Sequence, residues 1–222
     1  SVALGGTAQT VDIEGCTFAY NVTDANSAAA LTVIKGAVTV KDSIFWRNLR
    51  SRDRASYAGD IEVKAGSCIV THSIVTAKDA SSCRGNSGTT MYLDPDTVYT
   101  FDPLFVSSYE NDFLACYTVT DSSVSKTSAG TFDALSGFDL HLLSPQGYVL
   151  NAYSQAIDKG DPDADWSNEP PPNGGHVNIG AYGNTKEASL TSVGQPEVTS
   201  FEVLNPNDYA RPEAHLRMGI AS

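Results

Sequence analysis

The chain has 222 residues, 41% of them hydrophobic and only 18% charged, and its 26 acidic and 14 basic residues give a formal net charge of −12. This acidity argues against nucleic acid or an anionic membrane surface as a partner, because both require a basic face. No stretch approaches the roughly 18 consecutive apolar residues of a membrane-spanning helix, so we predict no membrane span.

The length accommodates one domain, or one domain followed by the start of a second. Abundant Gly, Ser, Thr, Asn and Asp favour many short strands and turns over long helices. The first residues already belong to repeat sequence, and they show neither an initiator Met nor a secretory signal pattern. We therefore expect a processed chain or a piece of a longer one.

A repeat runs through the N-terminal part of the chain. Its copies at 11–21, 38–48 and 68–78 begin 27 and 30 residues apart, and a second pair of segments, 31–36 and 61–66, is also offset by 30. A period of about 30 with several short strands per repeat is typical of a solenoid, since one repeat cannot bury its own apolar face.

Within each copy, apolar and polar residues alternate with the period of a β-strand, and a tight bend separates two such strands. We expect like residues to stack in inward-facing columns about 4.8 Å apart, as in a parallel sheet. The alternation and the Thr, Val and Ile content argue against stacked helical repeats. The predicted columns are Val11/Val38/Cys68 and Phe18/Phe45/Val75, with bends at Gly15, Asp42 and His72.

The segment 154–189 has a turn-forming first half, a run of three prolines, an Asn-Gly-Gly turn and then an alternating pattern over 177–183 that predicts a strand. It resembles the closing segment of bacterial right-handed parallel β-helix repeat proteins, which have the pectin-lyase-like superfold. The matching residues are Ser154, Ala156-Ile157-Asp158, Gly160-Asp161-Pro162, 167–170, Asn173-Gly174-Gly175 and 178–185. The resemblance says little about chemistry, because the family is defined by its architecture.

The resemblance implies an all-β fold, a right-handed parallel β-helix (a solenoid) with a C-terminal cap. We place this β-helix over residues 1–190 and a linker with the first strands of a following domain or cap over 191–222. Residues 78–97 are interpreted as a polar loop, and residues 107–137 as an insertion or an extra, poorly matched coil before the last coils of the helix.

Four aspartates in the closing segment alternate like the ligands of a calcium loop. Trp166 stands where such a loop needs Gly, and Pro172 stands where it needs a bidentate Glu. An irregular calcium site is one interpretation, and calcium is the only cofactor that the sequence suggests. The favoured interpretation is that these carboxylates accept backbone N–H bonds in tight turns. The four residues are Asp158, Asp161, Asp163 and Asp165.

Four arginines occur within residues 47–54 of an otherwise acidic chain. Arg47 and Arg50 are candidates for binding a uronate or sulfate, because guanidinium groups bind such anions in a bidentate manner. Trp46 beside them is a candidate for stacking on a sugar ring. The favoured alternative is a solvated loop in which Asp53 pairs with the arginines.

The four cysteines form no CxxC pair. Cys16 and Cys68 lie in strand patterns and are interpreted as small buried groups. Cys83 and Cys116 lie in polar sequence and are candidates for a disulfide if the chain is exported. Connectivity cannot be read from sequence, so both the disulfide and two free thiols stay open.

No catalytic residue is assigned, since the histidines are scattered and no nucleophile, phosphate-loop or zinc motif occurs. The leading hypothesis is a non-catalytic module exported to the bacterial cell surface, structural or adhesin-like, within a longer chain or a surface assembly. A polysaccharide or another cell-surface molecule would be its partner. The alternatives are a polysaccharide lyase or glycoside hydrolase, because similar β-helices often degrade acidic polysaccharides, and a carbohydrate-binding module that uses Trp46, Trp166 and tyrosines.

Overall fold

The computed structural model describes residues 10–23, 27–50, 59–106, 139–144 and 153–191 in full, together with the backbone of the strands outside these ranges. All regular secondary structure in these parts is β-strand. The chain divides into two compact units, Ser1–Thr191 and Ser192–Ser222. In the second unit, strand Glu197–Val203 pairs antiparallel with strand Leu216–Ala221.

Twelve strands of the first unit form three four-stranded sheets in which every pairing is parallel. Each repeat contributes one strand to each sheet in the same order. Sheet A contains β1 (Val2–Leu4), β5 (Leu31–Val33), β9 (Ile61–Val63) and β12 (Cys83–Gly85). Sheet B contains β2 (Thr10–Glu14), β6 (Ala37–Lys41), β10 (Ser67–Thr71) and β13 (Thr90–Leu93). Sheet C contains β3 (Thr17–Ala19), β7 (Ile44–Trp46), β11 (Ser73–Ile74) and β14 (Val98–Tyr99).

The remaining strands of this unit form three two-stranded pairs. One pair is parallel, and the other two are antiparallel. They are β4 (Val22–Thr23) with β8 (Leu49–Arg50), β15 (Phe105–Ser107) with β18 (Asp139–Leu142), and β16 (Tyr117–Thr120) with β17 (Ser123–Lys126). The parallel pattern therefore does not continue beyond β14 in the described part of the chain.

The predicted column of Val11, Val38 and Cys68 is confirmed, because these residues are register partners across β2, β6 and β10. Met91 on β13 extends the column to a fourth repeat. The interpretation of residues 78–97 as a loop was therefore wrong, since β12 and β13 both lie within it. These strands have only three and four residues, and the Ser, Gly and Asn residues around them favour a loop interpretation.

The bend between sheets B and C repeats at the predicted residues. Gly15, Asp42 and His72 all have left-handed backbone conformations, with φ of 55°, 49° and 44°. Behind the bend, Ser43 Oγ accepts the N–H of Cys16 at 3.1 Å, and Ser73 Oγ accepts the N–H of Ser43 at 3.1 Å. These side-chain hydrogen bonds join one repeat to the next and hold the bends of successive repeats in register.

Apolar side chains from the three sheets form the main core. It includes the residues of both predicted columns except Val11, and Phe18 stacks on Phe45 with ring centroids 4.8 Å apart. The buried members are Ala30, Leu31, Val33, Val38, Val40, Phe45, Ile61, Val63, Cys68, Val70, Val75, Cys83 and Val98.

Sheet C is also buried on its other face, where Ile44 and Ile74 pack against Ile179 and other apolar residues of the closing segment. The predicted strand at 177–183 was wrong: these residues form bends and turns and no strand. One of their N–H groups bonds to the bend of the second repeat, since Gly180 N donates to Asp42 O at 2.8 Å. The closing segment thus covers the outer face of sheet C.

Candidate functional site

Three of the four aspartates proposed as calcium ligands accept backbone N–H groups in separate turns. Asp161 Oδ1 accepts the N–H of Asp163 at 2.9 Å, and Asp165 Oδ1 accepts the N–H of Ser167 at 2.9 Å. Asp158 Oδ1 accepts the N–H of Gly174 at 2.9 Å. These contacts agree with the turn interpretation. The described residues contain no group of three or more His, Cys, Asp or Glu that could hold a metal ion, and calcium binding stays a prediction.

The residues proposed to bind an acidic sugar lie deeper than expected. Trp46 is only 7% exposed and packs beneath the closing segment, with the Arg47 guanidinium 5.5 Å from its ring centroid. Arg50 is only 5% exposed. Little surface of Trp46 is open to a sugar ring, because sheet C is covered on both faces. Arg52 and Arg54 lie outside the described residues.

Cys83 lies on strand β12 in register with Ile61, and its side chain is buried. Burial, and next the carboxylate of Asp60, raise the pKa of Cys83. Cys116 lies outside the described residues, so the disulfide between them stays a prediction.

A cleft of about 400 Å³ lies between the bends of the first two repeats and the closing segment. Two other cavities in the described part of the chain are about 10 Å³ each, enough for one water molecule at most. Of these three, the larger cleft has room for a ligand. Its lining residues are Glu14, Gly15, Asp42, Ala164, Asp165, Val177, Asn178, Gly183 and Asn184.

Asp42 is the most unusual residue of the cleft. The bend places its side chain beneath the closing segment, where the residue is 2% exposed. Its Oδ1 accepts the N–H of Asp161 at 2.6 Å, but its Oδ2 is buried without a hydrogen-bond partner among the described residues. Burial raises the pKa of Asp42. The hydrogen bond from Asp161 N–H and the positive charge of Lys41 lower it, but by less.

Lys41, next to Asp42 in the sequence, carries a positive charge that already has a partner. Its ammonium pairs with the Asp161 carboxylate. The hydrogen bond to Asp161 raises the pKa of Lys41, so the ammonium stays charged at neutral pH. Because this pair is close to neutral, it does not cancel the charge of the cleft.

The far wall of the cleft is held in place by a buried carboxylate. Glu169 is 4% exposed, and its Oε1 accepts the N–H groups of Asn178 at 2.8 Å and Asn184 at 2.9 Å. Asn178 in turn accepts the N–H of Asp158 through Oδ1 at 2.8 Å. These bonds fix the turns that carry the two asparagines, so the wall is preorganised.

The chemistry of the cleft follows from its lining. Three lining residues are carboxylates, two are amides, and none is Lys, Arg, His or Cys. Such a site attracts positive charge and accepts hydrogen bonds from N–H and O–H donors. A nucleophile or a base in this cleft would have to be a carboxylate.

Of these residues, the sequence pointed only to Asp165 as a ligand. The alignment of the repeats did single out Asp42, but as a bend residue. The closing segment meets the bends from more than a hundred residues away, as in the 119-residue separation of Asp42 and Asp161. No local sequence pattern predicts the contact between the closing segment and the bends.

Comparisons with protein families, with curated proteins and with solved structures find no match for this chain. Among the residues that the structure describes, no helix is long and apolar enough to cross a membrane.

Proposed function

We propose that residues 1–190 are a right-handed parallel β-helix that acts as a non-catalytic display module at a bacterial cell surface. The observation that carries this proposal is the regular course of the chain. Each repeat adds one strand to sheet A, then one to sheet B and one to sheet C, and equivalent residues pair in register. A stack of this kind gives a rigid rod whose length grows with the number of repeats.

The outer face of sheet B supports a contact surface more than a catalytic one. Its acids are confined to β2, and most of its other outward residues are small or hydroxylated. The histidine–carboxylate pair of His141 and Asp139, 2.5 Å apart, lies on β18 and is stacked on Tyr182, not on this face. The outward residues are Thr10, Asp12, Glu14, Ala37, Thr39, Lys41, Ser67, Ile69, Thr71, Thr90 and Tyr92.

Carbohydrate binding is a second candidate, favoured by one feature of the same face. Ile69 and Tyr92 are register partners, and they are 42% and 46% exposed. An exposed aromatic ring beside an aliphatic side chain is the kind of platform on which a sugar ring stacks.

The test has an enzymatic arm and a binding arm. The protein is incubated with a panel of uronic-acid polysaccharides, with and without a chelator, and unsaturated and reducing products are measured. We expect no product in either condition, and we expect the protein to sediment with isolated bacterial cell walls. Product formation would replace the display proposal with the lyase or hydrolase. Failure to sediment would contradict surface contact.

A matched pair of variants separates display from carbohydrate binding. Tyr92→Ala removes the exposed ring, and Thr90→Ala changes an outward residue two positions away on the same strand. If sugar stacking carries the contact, only Tyr92→Ala lowers retention on insoluble polysaccharide. Equal retention of both variants and the unaltered protein would leave display as the function.

A further inference from the structure

We propose that the cleft beside Asp42 binds a small ligand carrying a primary ammonium group, of the amino-sugar class. The first support is Asp42 Oδ2, a buried acceptor without a partner in the described residues. Buried polar atoms in native proteins are nearly always paired, and one that is not points to a water, an ion or a ligand. Asp42 lines a cleft far larger than a single water needs.

The charge of the cleft selects a cation. Glu14, Asp42 and Asp165 all line it, and the nearby Lys41 is engaged by Asp161. A divalent metal would need several converging carboxylate or imidazole ligands, and the described side chains include no such group. An ammonium group needs less: it donates three hydrogen bonds, which one carboxylate and neutral oxygens can accept.

The neutral acceptors are available in the same cleft. The side-chain carbonyls of Asn178 and Asn184 each accept one backbone N–H, from Asp158 and Asn168 respectively. Each carbonyl oxygen has a second lone pair for a ligand. Because Glu169 fixes both asparagines, these acceptors lose little freedom when a ligand binds.

Size and shape favour a ring over a bare alkylammonium. The cleft volume of about 400 Å³ lies within the range of small-molecule sites. A lone lysine tip would leave most of it empty. Gly15 contributes no side chain, and an added Cβ there would meet only Gly180 O at 3.8 Å, so a sugar ring can approach the backbone at this point. This inference does not depend on the display proposal, since the cleft exists whatever the outer face of sheet B contacts.

The test is calorimetry of the full chain with a glucosamine trisaccharide, and with its N-acetylated form as the matched control. The two probes have the same rings, but the control replaces each ammonium with a neutral amide. We expect the amine form to bind at least about tenfold more tightly, the effect of one charge-assisted hydrogen bond. Equal affinities, or no binding of either probe, would overturn the proposal.

Two variants locate the binding. Asp42→Asn keeps an oxygen for the Asp161 N–H but removes the charge, and Asp12→Asn removes the charge of an exposed acid on β2 that does not line the cleft. We expect Asp42→Asn alone to weaken binding, by about tenfold or more. An equal loss in both variants would mean diffuse attraction and no site. Calcium ions that bind alone and displace the trisaccharide would also overturn the proposal.

Asp42→Asn needs a check on folding, which circular dichroism and the urea midpoint supply. Glu14→Gln gives a second test, because Glu14 is an exposed cleft residue on a strand edge and its replacement spares the buried bend. A smaller but reproducible loss of affinity is expected for Glu14→Gln. An unchanged affinity in both cleft variants would refute the site.

Discussion

Replacing Gly66 with Ala tests how closely successive repeats approach each other. Gly66 lies just before β10 with φ of 95°, and Gly36 occupies the same position one repeat earlier with φ of 105°. A Cβ atom on Gly66 would lie 1.9 Å from the carbonyl oxygen of Gly36, far inside any real contact. Gly88 is the matched control: its φ is 80°, but nothing lies within 4 Å of its added Cβ.

Both variants place an alanine in a left-handed backbone conformation, but only Gly66→Ala also forces neighbouring repeats apart. A left-handed backbone costs an alanine about 1–2 kcal/mol at either position. At Gly66 the repeats must also move apart, which strains the bonds from Ser67 N to Gly36 O at 2.9 Å and from Thr90 N to Gly66 O at 3.1 Å. Each backbone bond is worth about 1 kcal/mol, so we expect a loss of about 3–4 kcal/mol for Gly66→Ala and about 1–2 kcal/mol for Gly88→Ala.

Urea unfolding followed by far-ultraviolet circular dichroism measures the difference, with stabilities compared through the midpoints at a common slope. Gly66→Ala is expected to unfold at the lower urea concentration. If the two variants differ by less than about 0.5 kcal/mol, the close contact between the two glycine turns does not exist and the stacking is misjudged.

Two further predictions concern buried titratable groups. Burial raises the pKa of Glu169 above its ordinary value of 4.5, so its contribution to stability is present below that value and is lost as pH rises through the raised pKa. Glu169→Gln keeps an oxygen that can accept both N–H bonds. In urea titrations, the unfolding free energy of the wild type minus that of the variant should fall from about pH 4 to pH 7. A difference that does not change with pH would contradict this. Burial also raises the pKa of Cys68 to about 12, which lowers its thiolate fraction about a thousandfold. Iodoacetamide at pH 8 should therefore label Cys68 only in denaturant, and rapid labelling of the folded chain, read by peptide mass, would refute its burial.

The repeat and its columns could be predicted because alternation reports directly which residues face inward. Val11, Val38 and Cys68 recur at similar spacing, and the bend residues mark where one strand ends and the next begins. Strands β12 and β13 escaped prediction for the opposite reason. They have only three and four residues within a stretch rich in Ser, Gly and Asn, and they are held by pairing with β9 and β10.

The closing segment shows where sequence reasoning misjudges a pattern. Residues 177–183 alternate like a strand, but their N–H groups find other acceptors: Asn178 N bonds to Glu169 and Ile179 N to the carbonyl of Ala156. These side-chain and turn contacts replace a sheet ladder. The cleft was beyond prediction because it forms only when this segment meets Asp42, across a long stretch of intervening chain.

The in-register stacking of repeats is tested most directly by a pair of engineered cysteines. Thr39 and Ile69 are register partners on the outward face of sheet B, and neighbouring parallel strands are about 4.8 Å apart, within disulfide range. Thr39 and Thr71 are offset by two residues, roughly 8 Å apart and too far to bridge. In a Cys68→Val background, mild oxidation and peptide mapping should show a disulfide for Thr39→Cys with Ile69→Cys and none for Thr39→Cys with Thr71→Cys. Cross-linking of the offset pair in preference to the register pair would contradict the stacking.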